Sequence, residues 1–246
     1  MYDFSGKIVA VTGAAQGLGR AIAERFLKDG AEGVALLDLK EDVLAAAAAE
    51  LDPAGSRTLA VPCNVADPDS VARAFQQIRD RFGWVDVLVN NAGITRDALV
   101  HKMTNEQFDQ VLKVSLYGTF YCVKQVIDGM RERGYGRIIS MSSLANRGNV
   151  GQANYAAAKA GIIGLTKTLA MELGPKNVTA NCLAPSLINT DIIKTVPDKV
   201  RNAMTASVPL RRIGEPEEVA DLVAFLASDE ASYVSGQCIS ITGGLW

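Results

Sequence analysis

Short apolar runs bounded by turn residues recur along this chain, each followed by a longer segment in which apolar residues return at three- and four-residue steps. The runs occupy residues 8–11, 34–37, 58–62, 85–89, 137–141, 178–183 and 238–241. Runs this short and this continuous read as strands buried on both faces. Residues 20–28, 43–51, 68–82, 106–130, 155–172 and 216–227 carry the helical period between them,. Right-handed crossovers leave few topologies for such a repeat. The expectation is one α/β domain over residues 1–246, a doubly wound Rossmann architecture with a parallel seven-stranded sheet and helices on both faces. Residues 186–210, with Pro197 and Pro209, lack clear periodicity and are expected to form a substrate lid,.

At 246 residues and 48% hydrophobic content, the chain can bury the core that such a sheet requires,. Its formal net charge is -2 and no cluster of Lys and Arg tracks a phosphate backbone, so nucleic acid is not an expected partner,. No stretch approaches the roughly 18 apolar residues of a membrane span, and the first residues lack the pattern of a leader. A soluble, cytoplasmic protein with no membrane partner is expected. Cys63, Cys122, Cys182 and Cys238 stand far apart, no two at metal-ligand or redox-motif spacing, which reads as buried thiols in a reducing compartment,. No His, Cys, Asp and Glu cluster has ligand spacing, so no catalytic metal is expected, and His101, the only histidine, reads as a surface residue,.

The first run opens into Thr12-Gly13-Ala14-Ala15-Gln16-Gly17-Leu18-Gly19 and then a helix. Three glycines stand where the chain must turn tightly, and N–H groups at a helix start can hold a pyrophosphate. The competing reading is a glycine turn without a ligand. Asp38 ends the second run nineteen residues past Gly19, where a carboxylate can accept hydrogen bonds from adenosine ribose hydroxyls,. A 2'-phosphate about 4 Å away would be repelled by on the order of 4 kcal/mol per unit charge at an effective dielectric of about 20. Gln16 offers that phosphate no cation, although Arg20 and Lys40 are near in sequence. NAD is the expected cofactor; the alternative for Asp38 is a solvated strand-end turn.

Tyr155 and Lys159, four apart, project from one face of a helix,. An ammonium beside a phenol stabilises the phenolate and is expected to lower its pKa from near 10, making Tyr155 a usable acid and base. Tyr-x3-Lys alone also occurs on many ordinary helices. Here it stands with the glycine loop, with Asn90-Asn91-Ala92-Gly93 after the fourth run and with Ser142 and Ser143 ending the fifth. In their order and spacing these motifs resemble the short-chain dehydrogenase/reductase family across essentially the whole chain.

The resemblance implies that Tyr155 is the general acid and base in interconverting a secondary alcohol and a ketone with NAD(H), a serine holding the substrate oxygen. It implies a cofactor site of Gly13, Gln16, Gly17, Leu18 and Gly19, with Asp38 and Leu39 beyond them. Asn64 and Val65 would flank the adenine, and Asn91, with Ala92 and Gly93, would lie near the ribose. Lys159 would also bind the nicotinamide ribose beside Tyr155, and Ile188 and Thr190 the carboxamide. Counting along the strand selects Ser143 as the serine, whereas counting thirteen back from Tyr155 selects Ser142; register, fixed by alternation, favours Ser143. Ser115 stands where the family has an asparagine that anchors a relay water, and Ser186 where the Asn181-x3-Pro185 motif continues with glycine. A homotetramer with the C-terminal Trp246 buried between subunits is expected by resemblance.

Residues 94–99 and 148–155 are most similar to those of 3-oxoacyl-thioester reductases. Such members usually take NADPH and carry a cation in the glycine loop, whereas Gln16 and Asp38 point to NAD. A catabolic secondary-alcohol dehydrogenase therefore competes. A third reading, from Ser115, is a catalytically impaired binding or scaffold subunit.

Overall fold

The computed structural model describes residues 2–190 and 198–245. Its strands are β1 (Ile8–Thr12), β2 (Gly33–Asp38), β3 (Thr58–Pro62), β4 (Val87–Asn90), β5 (Gly136–Met141), β6 (Val178–Pro185) and β7 (Cys238–Ile241). They form a seven-stranded sheet in the order β3-β2-β1-β4-β5-β6-β7, and all pairs are parallel. The order reverses between β1 and β4, opening a crevice above their C-terminal ends where open α/β sheets bind ligands.

The helices are α1 (Gly17–Lys28), α2 (Glu41–Leu51), α3 (Pro68–Phe82), α4 (Asn105–Leu112), α5 (Gly118–Arg133), α6 (Ala153–Leu173), α7 (Asp198–Ser207) and α8 (Pro216–Ala227). Alternation along β1 divides the core. Val9 and Val11 pack with Ile22 and Phe26 of α1 and Val223 of α8, while Ile8 and Ala10 pack with Phe75 of α3, Val126 of α5 and Leu169 of α6. Helix starts follow local chemistry. The Asp67 carboxylate accepts from Asp69 N–H at 3.0 Å ahead of Pro68, and Thr104 and Gln107 close a capping box on α4,.

The expected helix over 106–130 is three elements, because a π-helical turn, Lys113–Tyr117, separates α4 from α5. Gly118 follows this turn where a Cβ would stand 2.9 Å from Val65 Cγ2. The Thr119 hydroxyl donates to the Ser115 carbonyl at 2.8 Å. The expected irregular segment 186–210 contains α7, a helix its sequence periodicity did not reveal. Its residues 191–197, and Trp246 with its expected subunit contact, lie outside the described residues. No described helix is long and apolar enough to cross a membrane.

Candidate active site

Two confluent clefts open above the C-terminal ends of the strands. The larger runs from Asp38 past the glycine loop, and the smaller ends on Ser143, Tyr155 and Lys159. They share Leu18, Asn91, Gly93, Ile94 and Thr190.

In the larger cleft, β1 delivers the glycine loop to the start of α1. A Cβ on Gly19 would lie 2.1 Å from the Gly13 carbonyl oxygen, so only glycine lets the helix approach the turn,. Gln16 precedes the helix without a side-chain cap, and the first turn of α1 carries no acid. The first-turn N–H groups therefore suit an anion. Asn91 donates its amide to the carbonyls of Thr12 and Gly13 at 3.0 and 3.1 Å. Thr12 Oγ1 accepts from the N–H groups of Asn91 and Ala92, each at 3.0 Å. The Asn91 side chain is thus committed to bracing the loop, while the residue still lines the cleft.

Asp38 presents its carboxylate at the end of β2, accepting from Ala15 N–H at 3.1 Å and Lys40 N–H at 3.2 Å. Each oxygen retains a further lone pair for a ligand. Arg20 is turned to Glu50 at 2.6 Å, Gln16 is exposed and uncharged, and Lys40 lines the cleft. Leu39 is exposed beside Asp38, Asn64 caps its own turn by accepting from Ala66 N–H, and Val65 is buried under the cleft floor. Thr190 packs over Gly17, and Ile188 bridges to Gly214 at the border of the smaller cleft. The uncapped helix start and the strand-end carboxylate, both lining one cleft, fit a dinucleotide,.

In the smaller cleft, the two serines point apart. The Ser142 hydroxyl is buried and donates to the Lys159 carbonyl at 2.9 Å, pinning β5 to α6. Ser143 lines the smaller cleft with Tyr155 and acts to lower the phenol's pKa, and it accepts from Ala145 N–H at 3.2 Å. The Lys159 ammonium is buried, donates to the Met141 carbonyl at 2.5 Å and stands 5.4 Å from the Tyr155 ring centroid. Burial lowers its pKa to about 8. The expected lowering of the phenol's pKa is not found. Burial of Tyr155 raises it, Ser143 opposes, and the Asp97 carboxylate adds to the rise. The ammonium's distance from the ring and its commitment to Met141 leave desolvation dominant.

Ser115, in the π-helical turn, is fully buried, and its hydroxyl has no hydrogen-bond partner among the described residues. A Cβ on Gly93 would lie 3.4 Å from that hydroxyl and 3.5 Å from Lys159 Nζ, so this glycine keeps open the space between them. Ser186 is tied to β7, its N–H donating to Ile241 O at 3.2 Å and its hydroxyl to Thr242 O at 3.3 Å. His101 is exposed.

Asn154 escaped the sequence reading. Fully buried, it donates to the carbonyls of Arg96 and Gln107 at 2.9 and 3.1 Å and accepts from Tyr155 N–H at 2.7 Å. It thereby fixes the first turn of α6 against α4 and the loop after β4. An asparagine at a helix start was the only signal available.

The family model described as Enoyl-(Acyl carrier protein) reductase matches residues 13–246. The chain belongs to the short-chain dehydrogenase/reductase family and is a dehydrogenase/reductase acting on a CH–OH or ketone group. Among its relatives, the 3-oxoacyl-(acyl-carrier-protein) reductase FabG of Vibrio cholerae serotype O1 is 42% identical over 245 residues, 99% of each chain. The enzyme of the same description from Escherichia coli K12 shares the same identity and coverage. That of Thermotoga maritima is 42% identical over 241 residues, 98% of each chain.

Proposed function

We propose that this chain reduces a 3-oxoacyl thioester to its 3-hydroxy form with NADH, and that Tyr155 delivers the proton. The observation that carries the reading is the Tyr155 phenol, gathered in one cleft with Ser143 and raised in pKa beside the buried Lys159. A raised phenol holds its proton at neutral pH and is suited to act as an acid toward a carbonyl oxygen. Similarity to three 3-oxoacyl-(acyl-carrier-protein) reductases supports the substrate class.

When bound, the nicotinamide supplies the hydride for the carbonyl carbon. Ser143 holds the carbonyl oxygen, and Tyr155 passes its hydroxyl proton to that oxygen. Lys159 places a positive charge where the phenolate then forms. Ser115, with its free buried hydroxyl, stands where it can orient a proton donor behind Lys159. The glycine loop would hold the pyrophosphate and Asp38 the adenosine ribose. Asp38 and the uncharged Gln16 also favour NAD(H) over its 2'-phosphorylated form and sustain a second reading, oxidation of a plain secondary alcohol.

Absorbance of the reduced nicotinamide separates the two. NADH-driven reduction of a short 3-oxoacyl thioester faster than NAD-driven oxidation of any of a panel of secondary alcohols is expected. Turnover with the alcohols alone would replace the proposal by the second reading. Silence on both, with NADH still bound, would favour a binding subunit.

A further inference from the structure

Cys182 on β6 and Cys238 on β7 are far apart in sequence yet are register partners in neighbouring parallel strands. Each thiol shifts the pKa of the other, and Thr166 and Lys167 of α6 act on that of Cys182. Adjacent strands lie about 4.8 Å apart, within the roughly 4.4–6.8 Å between α-carbons that a disulfide spans. Cys182 is buried and Cys238 half-buried at the sheet edge. The other two thiols, Cys63 and Cys122, are buried, and burial pushes Cys63 up to about 11 and Cys122 higher.

We propose that Cys182 and Cys238 form a reversible intramolecular disulfide when the protein meets hydrogen peroxide, a modification site that ties the edge strand β7 to β6. Cys238 is the attacking thiolate. The neighbouring Cys182 holds the Cys238 pKa below the ordinary thiol value and the Lys167 and Arg147 cations assist, against burial; Cys182 itself is raised,. The Cys238 sulfur attacks one peroxide oxygen, the O–O bond breaks, and a sulfenic acid forms as hydroxide leaves. The Cys182 sulfur then displaces the hydroxyl, which departs with the Cys182 proton as water. Two thiols supply two electrons, and one peroxide becomes two waters.

The bridge lies next to the site. Leu183, the residue after Cys182, accepts from Ser142 N–H at 2.7 Å. The end of β7 holds Ser186, which lines the smaller cleft. A bond that locks Cys182 and Cys238 to one separation acts on strand segments that carry both anchors,, so oxidation is expected to lower turnover and reduction to restore it.

The test treats the full chain with hydrogen peroxide, blocks free thiols under denaturing conditions and maps peptides without reduction. The expected result is a fall from four free thiols to two, a cross-linked peptide pair carrying Cys182 and Cys238, and lost activity that returns with a reducing thiol. Cys238→Ser should keep its activity under the same treatment. Four thiols persisting, or a bridge between two chains instead of within one, would overturn the site, and this count decides it whatever the substrate proves to be. The bridge formed with turnover unchanged would overturn its coupling to the active site.

Discussion

Lys159 is a cation placed where the fold would rather have none. Burial depresses its pKa to about 8 from an ordinary 10.5, a penalty of about 3 kcal/mol on the charged form. A lysine depressed in the folded state binds fewer protons there than in the unfolded chain between these two values. Stability should therefore rise as pH climbs through that window, and the penalty is fully present below about pH 8. Melting the nucleotide-free protein from pH 7 to 10.5 should show this rise, and Lys159→Met should lose both the slope and the turnover. An equal slope in the variant would mean that the ammonium is not the strained group. At the other end of the clefts, Asp38→Ala removes the charge that a 2'-phosphate would meet. It should narrow the NADH-over-NADPH preference by one to three decades, about 1.4 kcal/mol per decade, in competing kcat/KM measurements. A wild-type preference for NADPH would refute the electrostatic argument.

The elements were legible to different depths, for physical reasons. Strands buried on both faces and helices with one apolar stripe announce themselves by period, so 58–62, 68–82, 216–227 and 238–241 match the observed bounds. The π-helical turn did not, because one extra residue per turn leaves the apolar spacing almost intact while moving the Ser115 carbonyl and hydroxyl. Nor did α7, whose residues lie between two prolines. Ser142 and Ser143 are indistinguishable as neighbours in sequence; strand alternation turns one into α6 and the other toward Tyr155. Asn154 acts through contacts with two distant segments, and Cys182 meets Cys238 only across the sheet, which no spacing rule can foresee. At this scale Asn154→Ala should free the first turn of α6. Leaving the Arg96 and Gln107 carbonyls unpaired costs about 2 kcal/mol, and kcat should fall with KM for NADH little changed. Unaltered kcat would show that α4 and the loop hold the helix without it.

Across the whole molecule, the two ends of the sheet divide the labour. At the N-terminal ends of the strands, Asp86 accepts from Ile8 N–H at 2.9 Å and pairs with Arg133 at 2.7 Å. There too the buried Arg137 meets Asp229 at 3.0 Å, so charge is spent on holding the frame. At the C-terminal ends, the glycine loop, Asp38, Ser143, Tyr155 and Lys159 open onto one continuous crevice, where the order of strands reverses. In the proposed reaction Tyr155 supplies the proton there and does little else. Tyr155→Phe keeps the ring and removes only the hydroxyl, so NADH affinity by fluorescence titration and thioester reduction by absorbance should be measured on the same preparation. Affinity within about twofold of wild type with turnover reduced by at least about 10² is the predicted result. Turnover surviving in that variant would contradict it.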